Sequence, residues 1–182
     1  MERTVVLFCG KAGVGKTTSA MFAKDYVNNK RFMTSDVFNF AYAVKECAKN
    51  FFGWNEVKDN WGRYLLQEIG KFGRSINKNT WIYLLIKKIN DSKVDIVFID
   101  DCRFPNELKM IKDLFKTYVI RIEAPNREIL KYTSAYDDPS ETSLPSGPNK
   151  LYDITVWNTG TIEELEKSIK EIVDNILDKE NE

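Results

Sequence analysis

The sequence contains no histidine at all. That excludes a Ser-His-Asp triad, a histidine metal site and a histidine general base, so any chemistry must run on carboxylates, lysine, arginine and bound metal. Cysteine is scarce. Cys9, Cys47 and Cys102 are odd in number and widely spaced, which fits neither a disulfide framework nor a zinc cluster. Cys9 and Cys102 read instead as small apolar residues at strand ends. An excess of either charge is also missing. Lys plus Arg and Asp plus Glu both number 27, so there is no global field to draw in nucleic acid or an anionic membrane. No apolar run approaches the ~20 residues of a membrane span, and no charged-then-apolar leader opens the sequence. The expectation is a cytoplasmic protein whose partners are small molecules, with neither nucleic acid nor membrane among them.

What remains is an ordinary globular composition, 43% apolar and 30% charged over 182 residues. That length favours a single domain spanning 1–182. The strongest local signal is Gly10-Lys11-Ala12-Gly13-Val14-Gly15-Lys16-Thr17, a complete G-x-x-x-x-G-K-[ST] phosphate loop. It follows the apolar run Thr4–Cys9, read as a buried strand, and leads into a helix predicted over about 15–28. The strand–loop–helix setting is what gives the motif meaning. Glycines let the backbone wrap a phosphate, so that successive N–H groups and the helix N-terminus point at the anion. Residues 11–18 are therefore the candidate nucleotide-binding stretch. Lys16 would reach the β- and γ-phosphates, and the Thr17 hydroxyl would hold Mg2+.

Further on, the pattern predicts a strand within 31–40 and helices over 41–52, 61–72 and 80–89, the last capped by Asn79 or Thr80. Asp95–Asp101 is a short apolar run ending in acids, as a central parallel strand should. A helix over 105–114, strands over 118–122 and 153–157, and a final helix from Thr161 to about Leu177 follow. That last helix opens on a capping box, Thr161-Ile162-Glu163-Glu164. Strands alternating with helices predict a P-loop-type α/β fold, a parallel sheet of about five strands with helices on both faces. Ligands of such sheets sit beyond the carboxyl ends of the strands. The phosphate loop and the Asp100–Asp101 pair both lie there, and at least one of the two acids is a candidate for the Mg2+ shell. Four of the five prolines fall within 125–148. This stretch, about 125–150, is read as a mobile lid with Arg127 and Lys131 as cations facing the phosphates.

Arg103 stands just beyond the acids, where a guanidinium can grip a phosphate bidentately. From here the sequence resembles a known family. Asp101-Cys102-Arg103-Phe104-Pro105-Asn106-Glu107 is similar to the D-V-R-F-P-N-E segment of bacteriophage deoxynucleoside monophosphate kinases. The phosphate loop, Phe40–Lys45 with Phe52-Gly53-Trp54, Leu66–Gly70 with Gly73-Arg74 and Trp81, Ser140-Glu141 through Leu144, and Tyr152–Gly160 resemble further family segments in the same order. One departure stands out: Asp138-Pro139 occupies the place where the family often has a histidine. A histidine lid contact is therefore not carried over.

The resemblance implies transfer of the γ-phosphoryl group of ATP, with Mg2+, to a deoxynucleoside monophosphate, by a monomer or homodimer in a host cytoplasm. On it, Lys16, Asp101, Arg103, Arg74 and Arg127 form the catalytic set, with Thr17 and Asp101 on the metal side. Lys45, Arg74, Trp81 and Arg103 face the acceptor. Asn158 to Gly160, after the last strand, have two readings, lining of the adenine pocket or a simple turn. The aromatics Phe38, Phe40, Trp54, Trp61 and Trp81 have two readings, base stacking or core packing. Two rivals share the phosphate loop. One is another small-molecule kinase, of the phosphomevalonate kinase type. The other is a partitioning-type switch ATPase, whose K-G-G-V-G-K-T-T loop Lys11–Thr18 resembles, although no switch-like D-x-x-x-x-D follows the next strand.

Overall fold

The computed structural model describes residues 3–30, 33–127 and 137–178. The chain divides into two compact units, one made of Met1–Val37 and Val94–Glu182, the other of Phe38–Lys93. The first unit is built on the strands β1 (Thr4–Cys9), β2 (Ser35–Phe38, which ends at the boundary), β3 (Ile96–Cys102), β4 (Lys116–Glu123) and β5 (Ile154–Trp157). They form one sheet in the order β2-β3-β1-β4-β5, and the pairings of β1 with β3, β1 with β4 and β4 with β5 are parallel. Central parallel strands are buried on both faces, which explains why β1 and the first half of β3 are runs of Val, Ile, Leu and Phe, whereas β2, β4 and β5 intersperse polar residues.

The helices of this unit are α1 (Lys16–Lys30), α5 (Pro105–Leu114), the single turn α6 (Pro139–Thr142) and α7 (Ile162–Asp178). Val6, Phe8, Ile96, Phe98, Ile120 and Ile122 share a core with α1 and α7. Helix α1 contributes Ala20, Ala23 and Val27, and α7 contributes Leu165, Ile169, Val173, Ile176 and Leu177. Small residues on α1 allow close approach, while the larger ones recur at helical spacing on α7. The capping box of α7 forms as predicted: Thr161 N–H donates to Glu164 Oε2 at 2.9 Å, and Glu164 N–H donates to Thr161 Oγ1 at 3.3 Å. Helix α5 starts on Pro105, whose missing N–H costs nothing at a first helical position, and lies against β4.

The second unit holds α2 (Tyr42–Phe52), α3 (Asn60–Ile76) and α4 (Thr80–Asp91) around Val44, Ala48, Trp54 and Ile69. Helix α3 starts at Asn60, where Asp59 caps it by accepting from Gly62 N–H at 2.7 Å, and it runs one turn beyond the predicted Phe72 to Ile76. The cap expected for α4 is corrected: Asn79 makes no side-chain capping bond, and the Thr80 hydroxyl instead donates back to the carbonyls of Gly73 and Asn77. Among the described residues, no helix is long and apolar enough to cross a membrane.

Candidate active site

The loop between β1 and α1 can take its shape only because of its glycines. Gly10, Gly13 and Gly15 have φ of 145°, 76° and 107°, a region other residues rarely enter. A Cβ on Gly10 would also stand 2.5 Å from the Ile122 carbonyl oxygen. Lys16 is buried, and its Nζ donates to the carbonyls of Gly10 at 2.8 Å and Lys11 at 2.6 Å. Burial, reinforced by the Arg103 cation, lowers its pKa to about 8, against the opposing pull of Glu141 and Asp101.

At the end of β3 two acids stand side by side, and their contacts differ. Thr17 Oγ1 donates to Asp100 Oδ2 at 2.7 Å. The other oxygen, Asp100 Oδ1, is buried and has no hydrogen-bond partner among the described residues. Asp101, to which the metal side was assigned from sequence, is half-buried and is not the acid that Thr17 touches. A donor hydroxyl with lone pairs to spare, beside a carboxylate oxygen lacking a partner, fits the water shell of Mg2+. This ion binds through one or two protein oxygens plus substrate phosphates rather than a full protein cage. No cluster of three or more metal-ligating side chains occurs among the described residues.

Arg103 follows the strand. Its backbone N–H, and that of Phe104, donate to Glu107 Oε2 at 2.8 and 3.0 Å. Glu107 is almost fully buried, and burial pushes its pKa up to about 8, against the pull of these two N–H groups. The Arg103 guanidinium reaches Glu141 and the Ser140 carbonyl through Nη1. The second oxygen of Glu141 accepts from the Ala12 N–H of the phosphate loop at 2.7 Å. Glu141 thus joins the loop to Arg103, a link that the sequence did not single out beyond its place in a Ser-Glu pair.

Asn158 also lies against the loop. Its side-chain amide donates to the Val14 carbonyl at 2.9 Å, and its N–H donates to the Glu123 carbonyl at 2.7 Å. A recess beside it, between β5 and α7, is lined by Trp157, Asn158, Thr159, Gly160, Thr161 and Glu164. Arg121, fully buried, pairs with Glu123 at 2.9 Å, and Glu123 accepts from Gly147 N–H at 2.6 Å, tying residues after α6 to β4. Of the predicted lid, residues 128–136, with Lys131, lie outside the described residues. Arg127 is exposed at the turn after β4.

In the helical unit, Trp81 and Arg74 share a surface made by two glycines. Trp81 Nε1 donates to the Gly70 carbonyl at 3.0 Å. Its ring lies so close over Gly73 that a Cβ there would be 2.3 Å away, and the Arg74 guanidinium lies beside Gly70. Lys45 is half-buried on α2. Of the aromatics with two readings, Phe38, Phe40 and Trp54 are core residues, whereas Trp61 is 52% exposed.

No protein-family model matches the chain. A protein of Acanthamoeba polyphaga mimivirus named "Putative deoxynucleotide monophosphate kinase" is 31% identical over 197 residues, covering 91% of this chain and 94% of that protein. Among solved structures, the chain is similar to the APS kinase of Mycobacterium tuberculosis in complex with AMPPNP and APS. There the TM-score is 0.53 at 9% identity, over 95% of this chain and 98% of that one. It is also similar to the shikimate kinase of Aquifex aeolicus, with TM-score 0.51 at 12% identity over 95% and 98%. At such identities the structural likeness is one of fold, that of the small P-loop kinases.

Proposed function

The chain belongs to the deoxynucleotide monophosphate kinase family, a group of P-loop phosphotransferases, and from that premise we propose that it transfers the γ-phosphoryl group of ATP to a deoxynucleoside monophosphate, yielding ADP and the deoxynucleoside diphosphate. The observation that carries this reading is the placement of Arg103, a partly exposed guanidinium joined through Glu141 to the phosphate loop and directly following the acid-ended strand that meets Thr17.

The chemistry asks little of the protein beyond charge and position. An acceptor phosphate with a second pKa near 6 is mostly dianionic at neutral pH, so its attacking oxygen needs no base. A chain without histidine is adequate for such a reaction. The loop N–H groups and Lys16 would hold the donor phosphates in line with that oxygen. Arg103 would hold the acceptor phosphate and offset the repulsion between two anions. Arg74, Lys45 and Trp81 are assigned to the acceptor on the family resemblance, and Arg127 to the donor phosphates. Mg2+ would be held by Thr17 and, through water, by Asp100, and when bound it neutralises charge on the β- and γ-oxygens. Asn158 is better read as a brace under the loop, with the recess beside it as the place for the adenine.

The test is product identification. ATP labelled in the γ-phosphate is incubated with the protein, Mg2+ and each deoxynucleoside monophosphate, and the products are separated by anion exchange. Label in a deoxynucleoside diphosphate supports the reading. Label found only in inorganic phosphate under every condition contradicts it.

A further inference from the structure

Three segments far apart in sequence meet at one carboxylate. Glu141 is only 7% exposed at its side chain. One oxygen accepts from Ala12 N–H in the phosphate loop at 2.7 Å, and the other pairs with Arg103 Nη1. Burying a carboxylate is costly unless donors replace its water, and here both donors belong to the site itself. Arg103 and Lys16 are two cations that repel each other, and Glu141 attracts both. Arg103 is also held at its other end, since Glu107 accepts its backbone N–H. Among the described residues only Nη1 of this guanidinium is engaged, by Glu141 and the Ser140 carbonyl, which leaves Nε and Nη2 for a phosphate.

We propose that Glu141 is a positioning residue for phosphoryl transfer, which fixes the Arg103 guanidinium relative to the phosphate loop so that its free edge meets the acceptor phosphate. The inference rests on the kinase reading above. Glu141 itself touches neither substrate. Its effect passes through Arg103, which would otherwise sample many rotamers and be deflected by Lys16. Orientation of this kind changes turnover more than donor affinity.

The experiment is a double-mutant cycle. Wild type, Glu141→Gln, Glu141→Ala, Arg103→Ala and Arg103→Ala combined with Glu141→Gln are compared for kcat, for KM of ATP and of the best monophosphate, and for melting temperature. Glu141→Gln is expected to lower kcat by about tenfold or more while leaving the KM for ATP within about threefold. In the Arg103→Ala background the same change is expected to have no further effect, within about twofold. Equal losses in both backgrounds would overturn the proposal, as would an unchanged kcat. A raised kcat with a lowered KM for ATP would also overturn it, because it would make Glu141 an obstacle in the site. A melting temperature that falls in step with activity in both Glu141 variants would make the residue a structural brace and likewise overturn it. Wild type without monophosphate-stimulated turnover would remove the kinase reading itself, and this inference with it; intact wild-type turnover with unaffected variants removes this inference alone.

Discussion

Thr17 Oγ1 and Asp100 Oδ2, 83 positions apart in sequence, are joined by a 2.7 Å hydrogen bond that sets the carboxyl end of β3 against the first turn of α1. In the proposed kinase this contact favours Asp100 over Asp101 as the acid beside Mg2+. Asp100→Asn is predicted to lower kcat by about a hundredfold and to raise the Mg2+ concentration needed for half-maximal activity. Asp101→Asn is expected to cost about tenfold or less. A Mg2+ titration of both variants checks this; a larger loss in Asp101→Asn would return the metal side to Asp101.

The alternation of β3 is a guide to Asp100 but not to Asp101. Ile96 and Phe98 face the core shared with α1 and α7. Asp100, two residues on, meets Thr17 at the start of α1, but the register against β1 shifts between Ile99 and Cys102, so alternation does not carry through to Asp101. The strands, the helices and the loop itself were legible for a similar reason: their signals are local periodicities and a motif tied to one backbone shape. Glu141 was not. Its role depends on a contact across 129 positions with Ala12, and nothing in the spacing of a short Pro-rich stretch shows which surface its carboxylate will meet. The Asn158 brace was not legible for the same reason, since a turn after a strand gives no sign that its amide will reach the Val14 carbonyl.

Lys16 gives a pH dependence. In the ligand-free protein its pKa is lowered to about 8, chiefly by burial, whereas bound phosphate favours the charged form. Below pH 8 the lysine is already charged and ATP affinity is flat. Above pH 8 a proton must be taken up on binding, so the Kd for ATP is predicted to rise by up to tenfold per pH unit. Calorimetry at pH 9 in buffers of different ionisation enthalpy reads the proton uptake directly. No uptake would contradict a lysine shifted in this way.

Glu107 links pH to stability in another window. Its pKa is raised by burial to about 8 in the folded protein, from an ordinary 4.5. Between these values the folded state binds more protons than the unfolded state. Stability therefore falls as pH rises through that range, by up to about 1.4 kcal/mol per unit. Thermal melts from pH 4.5 to 8 are expected to show this slope in wild type and a flatter one in Glu107→Gln. A slope that survives the substitution would assign it to other groups.

Gly73→Ala tests the seat of Trp81. The added methyl would stand 2.3 Å from the indole ring, and displacing the ring also strains its bond to the Gly70 carbonyl. A destabilisation of about 1–3 kcal/mol by chemical denaturation is expected. If Trp81 serves the acceptor, the KM for the monophosphate should rise while the KM for ATP stays constant.

In the proposed reaction a nucleotide's phosphate is the acceptor and Arg103 holds it. A coupled assay of ADP release, with ATP, Mg2+ and each deoxy- and ribonucleoside monophosphate in turn, repeated on Arg103→Ala, tests both parts at once. Strong turnover with one or more deoxynucleoside monophosphates, falling by about a hundredfold or more in the variant, is the predicted result. Slow ATP hydrolysis that no monophosphate stimulates, and that Arg103→Ala leaves unchanged, would contradict it.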